Sequence, residues 1–377
     1  MSESRWERVI AGSAIGLAIL IAAYTGGHMP STWCATLDTV SPFNGFDRRF
    51  LVGALLTPFT GLFGYHYALF AAWSFTVLAA VLAVLARAAY RGDLARRLLI
   101  IAWLVFVGGF LFDEVGYFEQ LEYLMLFGAV ALVHRDRIGA AVAVMSLAPC
   151  VHELAILTVL PLFGLVLLRR RPFRQAAIAT AIPMVVNLVL LAVPATPPST
   201  IDRLMATLGH ADFSPRVDAL TLFHNSALGT GHVFDAHAAG TYVRPLMYVL
   251  VAAFAIAWSS DRAGWLGERD RRRPLLVLAA SCAAIAIPSL LVFGGWDSNR
   301  WLFLVICNFC FVVWLTLSYR PTAPLRASTV IVLVVAMLVI SRTKIYYFDW
   351  VPPRDVAYRP VRTFVREMLR GSAFGAP

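Results

Sequence analysis

The sequence has few charged residues, and this scarcity excludes an ordinary soluble domain. Charged residues make up 14% of the 377 residues and hydrophobic residues make up 59%, whereas soluble domains carry roughly 25% charged residues. Apolar runs of about 14–25 residues, close to the length at which a helix spans a bilayer, recur between clusters of arginine. The pattern predicts an all-α, polytopic integral membrane protein with about eleven transmembrane spans and additional interfacial helices.

Cysteines and processing signals are also scarce. The five cysteines stand mostly within apolar runs, which favours buried small side chains over a disulfide framework. Thr25–Pro30 offers no small-x-small cleavage site, so we expect the first span, Val9–Tyr24, to remain in the protein. The net charge of +10 is typical of some nucleic-acid-binding proteins. Here the arginines punctuate apolar runs, and we expect no nucleic-acid partner.

The arginine clusters predict the orientation of the chain. With the N-terminus in the cytoplasm, the arginine-rich loops all fall on the cytoplasmic side, as the positive-inside rule requires. These loops are Arg87–Arg97, Arg135–Arg137, Arg169–Arg174, Arg262–Arg273 and Arg320–Arg326. We therefore predict a single transmembrane domain, residues 1–377, with a long external loop at 194–240. The basic tail, 341–377, is predicted to carry an interfacial amphipathic helix over Val356–Arg370.

A group of carboxylates follows an apolar run at the predicted external boundary. The stretch Phe112–Glu122 places Asp113, Glu114, Glu119 and Glu122 within about three helical turns. Ionisable groups at such a boundary are costly unless they face protein, water or a ligand. Crowding raises the pKa of one member of such a group, which could then serve as a base. Oxygen ligands also suit a divalent cation, and a solvated acidic loop is the third interpretation.

The tripeptide Asp47-Arg48-Arg49 is predicted to lie outside, against the topological bias. Two external arginines require an anionic partner. A phosphate matches the planar guanidinium fork. A salt bridge to the acidic stretch around Asp113 accounts for them equally well, and one site can use both.

Two further polar clusters interrupt apolar segments on the predicted external side. His152 and Glu153 break the run Ile138–Leu168, which predicts a tight out-and-back helix pair with these two residues near its apex. The second cluster forms a short turn between two spans, where tryptophans also serve as interfacial anchors. Its members are Trp296, Asp297, Asn299 and Arg300. Aromatic faces beside an acid, an amide and an arginine would suit a sugar ring and its phosphate.

Several short segments resemble parts of polytopic bacterial proteins that assemble surface glycans from polyprenyl-linked sugars. They are FDRRFLVGALL at Phe46–Leu56, CVHE at Cys150–Glu153 and DSNRW at Asp297–Trp301. The layout resembles C-type glycosyltransferases, whose first external loop carries a catalytic acid at a position that looks like Asp47. It is also similar to polysaccharide polymerases, which have external arginines and a long external loop.

This resemblance implies glycosyl transfer at the periplasmic face of a bacterial inner membrane. The expected partners are the bilayer, a polyprenyl-phosphate-linked sugar and a glycan or other acceptor. Arginines would hold the leaving phosphate, and a carboxylate would take the proton of the acceptor hydroxyl. The implied catalytic residues are Asp47, Asp113, Glu114, His152 and Glu153, and the implied substrate-binding residues are Arg48, Arg49, Glu119, Trp296, Asp297, Asn299 and Arg300.

Two alternatives remain open from the sequence. A transporter or flippase for an anionic or lipid-linked substrate could use the same residues for binding or proton coupling, and a non-catalytic assembly subunit is the other. A transporter needs a polar path to the cytoplasmic side. Apart from Asn187 and Asn308, the predicted spans hold few polar residues away from the external third, which favours the enzyme.

Overall fold

The structure is a computed structural model that describes residues 5–224, 272–293, 298–318, 362–363 and 365–366. Throughout this described part the chain forms helices, turns and loops and no strand, which confirms the all-α prediction. The α-helices are α1 (Arg5–Gly26), α2 (Thr32–Leu37), α3 (Leu51–Phe63), α4 (Tyr67–Arg91), α5 (Leu94–Phe106), α6 (Gly109–Asp113), α7 (Phe118–His134), α8 (Ile138–Val151), α9 (Val159–Arg170), α10 (Phe173–Leu191), α11 (Pro198–Leu208), α12 (Val217–Thr221), α13 (Arg272–Ala286) and α14 (Ser298–Ser318). Short 3₁₀ helices cover Pro42–Asn44, Glu153–Ile156 and Ile287–Phe293.

The chain divides into two compact units. The first unit comprises Met1–Gly27, Leu82–Asp113 and Val233–Phe374, and the second unit comprises His28–Val81, Glu114–His232 and Gly375–Pro377.

In the first unit, α1 packs on α5 and α6, and α14 packs on α5 and α13. The approach of α1 to α6 requires glycine, because a Cβ atom on Gly26 would lie 1.8 Å from the carbonyl oxygen of Gly109. Phe303 on α14 joins α5 and α6 through Trp103 and Phe110, at ring-centroid distances of 6.0 and 4.5 Å. Aromatic packing and one close backbone approach therefore organise this unit.

In the second unit, helices α7 to α10 form a four-helix bundle. Helix α7 packs on α8, α8 on α10, α10 on α9, and α9 on α7, while α7 with α10 and α8 with α9 make few or no contacts. These pairings place α8 and α9 at opposite corners. The chain between them, including Glu153–Ile156, therefore crosses one end of the bundle.

Contacts at the two ends of the bundle show that α8 and α9 run out and back, but at opposite corners of the bundle and not as the tight pair that was predicted. Arg171, just after α9, forms an ion pair with Asp136, just before α8, so these helix ends lie together. At the other end, the hydroxyl of Thr158 donates to a carboxylate oxygen of Glu122 on α7 over 3.0 Å. The arginine-rich loops after α7 and α9 thus share one end, and the acidic start of α7 shares the other end with the crossing segment.

Short helices and loops of the second unit pack onto a common apolar cluster. Its core includes Leu37, Phe46, Val52, Phe70, Phe118, Val151, Ile201, Leu204 and Phe223. The stretch Thr25–Asp47, predicted as a polar external segment, contains α2 and several buried polar side chains. The described part of the predicted loop 194–240 likewise folds into α11 and α12, and its Arg216 backbone N–H donates to the Thr36 hydroxyl over 2.9 Å.

Three described helices are long and apolar enough to cross a membrane. They are Trp6–Gly26, Tyr67–Arg91 and Phe173–Leu191. Shorter apolar helices cover Leu51–Phe63, Ile138–Val151, Leu275–Leu291 and Arg300–Thr316. The fourteen residues of Ile138–Val151 rise only about 21 Å along the helix axis, short of the roughly 30 Å of hydrocarbon in a bilayer. Among the described residues there are therefore three candidate spans, fewer than the eleven predicted. The predicted spans Thr241–Ser259 and Ser328–Ile340 lie outside the described residues.

Two element boundaries differ from the predictions. Helix α3 was expected to stop near Pro58 but continues to Phe63, because one proline removes a single backbone hydrogen bond while the neighbouring turns persist. The run Leu98–Phe112 was expected to form one span. It is broken between α5 and α6 beside Gly108 and Gly109, where glycine has low helix propensity.

Most of the predicted interfacial helix Val356–Arg370 lies outside the described residues. Within it, Arg362, Thr363, Val365 and Arg366 are helical and exposed.

Candidate functional site

The centre of the candidate site is an ion pair between Arg49 and Glu153 in the second unit. Nε of Arg49 donates to both carboxylate oxygens at 3.0 and 2.9 Å, and an Nη atom donates to one of them at 2.5 Å. Only 15% of the Arg49 side chain and 7% of the Glu153 side chain are exposed. The sequence analysis considered a salt bridge from these arginines to the stretch around Asp113. For Arg49 that prediction is wrong, because its partner is the carboxylate of Glu153, 104 residues further along the chain.

The backbone of Arg49 is strained. Its φ angle is +53°, in the left-handed region that costs a non-glycine residue roughly 1–2 kcal/mol. The strained residue stands two positions before the start of α3. Strain of this kind persists only where surrounding contacts hold it, and it concentrates at functional sites.

Arg48 adds a second guanidinium to this pair. The residue is buried, with 3% of its surface exposed, and its Cζ lies 5.5 Å from the ring centroid of Phe223. Cζ of Arg49 lies 6.0 Å from the same ring. Burial lowers the pKa of Arg48, Glu153 opposes that shift, and the charge of Arg49 adds to it. Two guanidinium groups therefore lie close to the carboxylate of Glu153.

Glu153 is held in its ionised form by this arrangement. Burial raises its pKa, but the charge of Arg49 and the hydrogen bonds from Arg49 together bring the pKa well below 4.5. His152 caps the following 3₁₀ helix, with Nδ1 accepting the Leu154 backbone N–H at 3.2 Å, so the neutral ring carries its proton on Nε2. A carboxylate with so low a pKa is a poor base, which argues against acid–base catalysis by Glu153 and for positioning of Arg49.

The acidic stretch is folded into protein and is not a solvated loop. Asp113, Glu114, Glu119 and Glu122 are all buried. The carboxylate of Glu122 accepts a hydrogen bond from the Thr158 hydroxyl beside the crossing segment. Nearby, Nδ2 of the buried Asn187 donates to the Glu153 carbonyl oxygen over 2.9 Å, so the same end of the bundle holds both Glu122 and Glu153.

The structure brings together some predicted site residues and leaves others apart. Arg48, Arg49, His152, Glu153, Glu119 and Glu122 all belong to the second unit. Asp47 is exposed, in contrast to its buried neighbour Arg48. Asp113 closes a segment of the first unit, whereas Glu114 begins a segment of the second.

The fourth predicted cluster is described only in part. Trp296 and Asp297 lie outside the described residues. Asn299 and Arg300 begin α14 in the first unit. Cζ of Arg300 lies 5.3 Å from the ring centroid of Trp301.

Sequence reasoning missed three residues of this region. Asp38, a buried carboxyl in the segment after α2, stood in a stretch predicted to be an external loop. Thr158 and Phe223 carry no local signal, since one is a hydroxyl inside an apolar run and the other an aromatic in the long loop.

No group of three or more His, Cys, Asp or Glu side chains with metal-binding geometry occurs among the described residues. Comparison with protein-family models, with curated proteins and with solved structures found no match.

Proposed function

We propose that the protein is an integral membrane glycosyltransferase or polysaccharide polymerase that acts on a polyprenyl-phosphate-linked sugar at the external face. The observation that carries the proposal is the cluster of two guanidinium groups around one carboxylate. Guanidinium groups in a largely buried setting attract an anion, and a pair of them matches the oxygens of a phosphate.

Exposed apolar surface supports the membrane setting. Large hydrophobic side chains remain exposed on two of the three helices that are long enough to span, α1 and α10. On α1 they include Trp6, Ile10, Leu17 and Leu20, and on α10 they include Phe173, Ile182, Leu188 and Val189. Soluble monomers rarely expose such continuous apolar faces, and hydrocarbon is the environment that suits them.

In the proposed reaction, Arg48 and Arg49 stabilise the leaving phosphate. The acceptor hydroxyl oxygen forms a bond to the anomeric carbon of the lipid-linked sugar. The bond from that carbon to the phosphate oxygen breaks, and the phosphate departs with the electron pair beside Arg48 and Arg49. Preorganised positive charge stabilises the developing negative charge in a low-dielectric site. A carboxylate, for which Asp47 and Glu114 of the second unit are the candidates, takes the hydroxyl proton.

Binding of a lipid phosphate tests the proposal directly. We expect undecaprenyl phosphate to raise the thermal midpoint of the detergent-solubilised protein, since a ligand of the native state stabilises it. The uncharged undecaprenol should not. Arg48→Gln should weaken binding about 10-fold or more, because a hydrogen bond to a charged group contributes about 1.5–3 kcal/mol.

Arg170→Gln is the matched control, because Arg170 lies at the end of α9 beside the opposite end of the bundle. Equal stabilisation by the phosphate and the alcohol, or equal binding by both variants, would contradict the phosphate site. Incubation of the protein in vesicles with a lipid-linked sugar separates the two activities. A new glycosidic product supports the transferase, whereas movement of the lipid across the bilayer without a product supports the transporter.

A further inference from the structure

The end of the four-helix bundle opposite the candidate functional site is rich in arginine. The loop between α7 and α8 and the loop between α9 and α10 meet there, joined by the ion pair of Asp136 with Arg171. Asp136 is the only acidic residue in the stretches 134–137 and 169–175. The arginines of the same two stretches are Arg135, Arg137, Arg169, Arg170, Arg171 and Arg174. The two loops therefore contribute an excess of positive charge to this end of the bundle.

Arg137 and Arg174 lie at neighbouring corners of the bundle. Arg137 directly precedes α8, and Arg174 is the second residue of α10. Helices α8 and α10 pack on each other and both begin at this end, so they run parallel. Both arginines are exposed. In the described part of the chain, neither guanidinium group has an ion-pair or hydrogen-bond partner, so both are available to a ligand.

An apolar stripe continues from Arg174 along one face of α10. Its members are Ile178, Ile182, Val185 and Val189, each 48–62% exposed. Successive members are three or four residues apart, and Ile178 follows Arg174 by four, so all five residues share one helix face. We call the four apolar residues the α10 stripe. A cation therefore stands at the head of an exposed apolar surface.

The length of the α10 stripe matches one leaflet of a bilayer. From Ile178 to Val189 the helix rises roughly 17 Å, and half of the hydrocarbon core is roughly 15 Å. The order of the surface, cationic first and apolar after it, is the order of an anionic phospholipid, whose phosphate precedes its acyl chains. A soluble polyanion such as a nucleic acid would match the arginines but would leave the stripe uncovered.

We propose that Arg137 and Arg174 bind the phosphodiester headgroup of an anionic phospholipid, with phosphatidylglycerol as the simplest case, and that one acyl chain lies along the α10 stripe. Guanidinium groups match phosphate oxygens in charge and geometry. A zwitterionic lipid offers the same phosphate but carries a compensating ammonium group, so the site favours the anionic lipid. The inference rests on the membrane setting of the proposed function and not on glycosyl transfer.

Lipid titration of the detergent-solubilised, full-length protein tests the site. Fluorescent phosphatidylglycerol in mixed micelles gives a dissociation constant, and phosphatidylcholine with the same acyl chains is the comparison lipid. We expect phosphatidylglycerol to bind more tightly. Arg174→Gln should raise its Kd about fivefold, since this is the contribution of one cation near an anionic lipid. Arg137→Gln/Arg174→Gln should raise it about 25-fold if the two contributions are independent.

Control variants separate the site from general effects. Arg174→Lys keeps the charge and should weaken binding less than Arg174→Gln. Arg203→Gln changes an exposed arginine on α11 of the same unit and should leave the Kd unchanged. Circular dichroism and the thermal midpoint confirm that each variant is folded.

Three results would overturn the proposal. The first is equal affinity for phosphatidylglycerol and phosphatidylcholine, as expected if the arginines were only solvated. The second is an unchanged Kd in Arg137→Gln/Arg174→Gln. The third is displacement of the lipid by glycerophosphoglycerol, the headgroup without acyl chains, at the concentration at which phosphatidylglycerol itself displaces it. That result would leave the α10 stripe without a part in binding.

The same variants distinguish this inference from the proposed function. Arg48→Gln should weaken binding of undecaprenyl phosphate and leave that of phosphatidylglycerol unchanged. Phosphatidylglycerol binding that depends on Arg137 and Arg174, without stabilisation by undecaprenyl phosphate, would support the phospholipid site and contradict the proposed lipid-phosphate site. Stabilisation by undecaprenyl phosphate that depends on Arg48, without selective phosphatidylglycerol binding, would do the reverse.

Discussion

Glu153→Gln is expected to lower the free energy of unfolding by about 3–5 kcal/mol, because loss of one partner leaves the other as an uncompensated buried charge. The effect should exceed that of Arg49→Gln. Without Glu153, two neighbouring guanidinium groups remain without this carboxylate, whereas without Arg49 the carboxylate still has Arg48 nearby. Chemical unfolding in detergent, followed by far-UV circular dichroism, measures the difference.

The double variant Arg49→Gln/Glu153→Gln should recover part of this loss, since it removes both charges of the pair. Asp218→Asn is the matched control. Asp218 pairs with Arg216 at 2.5 Å, but both side chains are roughly half exposed, and exposed pairs contribute only about 0–1 kcal/mol. A loss in Asp218→Asn as large as that in Glu153→Gln would show that burial of the pair is unimportant.

The same pair makes stability depend on pH with a defined sign. The pKa of Glu153 is lower in the folded protein than its ordinary value of 4.5, so the unfolded chain binds the proton more tightly. The contribution of Glu153 is therefore complete above about pH 4.5 and is lost as the pH falls towards the folded pKa. Glu153→Gln should flatten this acid limb, and an unchanged limb would contradict the assignment.

Gly53→Ala is expected to destabilise the second unit and displace the start of α3. An added Cβ atom at Gly53 would lie 2.0 Å from the carbonyl oxygen of Val40 and 3.1 Å from that of Asp38. The obstacle is backbone, so relief requires moving α3 away from the segment after α2. Overpacking of this kind costs about 1–3 kcal/mol, more than the roughly 1 kcal/mol of helix propensity that alanine adds.

Gly61→Ala provides the control on the same helix. A Cβ atom at Gly61 meets nothing within 4 Å, so this substitution should be neutral or should stabilise α3 by up to about 1 kcal/mol. Because α3 follows Arg48 and Arg49 directly, Gly53→Ala should also weaken the binding of undecaprenyl phosphate. Equal thermal midpoints for the two alanine variants would refute the proposed contact.

Local sequence features predicted much of the helical framework. The first apolar run, Val9–Tyr24, lies inside α1, and the run 66–89 corresponds closely to α4. The break near His152 and Glu153 was visible as two polar residues within an apolar segment. Helical runs and their breaks depend on residues within one or two helical turns of each other, so the local sequence is enough to predict them.

The partners within the candidate site could not be predicted in the same way. The sequence offered the stretch around Asp113 as the salt-bridge partner of Arg49, and only the packed bundle shows Glu153 of the crossing segment paired with Arg49. Asp38 was expected in a polar loop, and its burial depends on the packing of α3 and α4 around it. Phe223 reaches both arginines because the described part of the long loop folds back onto the apolar cluster.

The sequence by itself determined that the protein is helical and apolar and where its polar residues interrupt the helices, because these properties follow from local periodicity and propensity. Only the tertiary structure decided that Arg49 pairs with Glu153, that α8 and α9 occupy opposite corners of a bundle, and that Asp38 is buried. The physical reason is that contacts across long stretches of chain depend on which helix faces pack together. Many pairings satisfy the same local pattern, and packing of the whole unit selects among them.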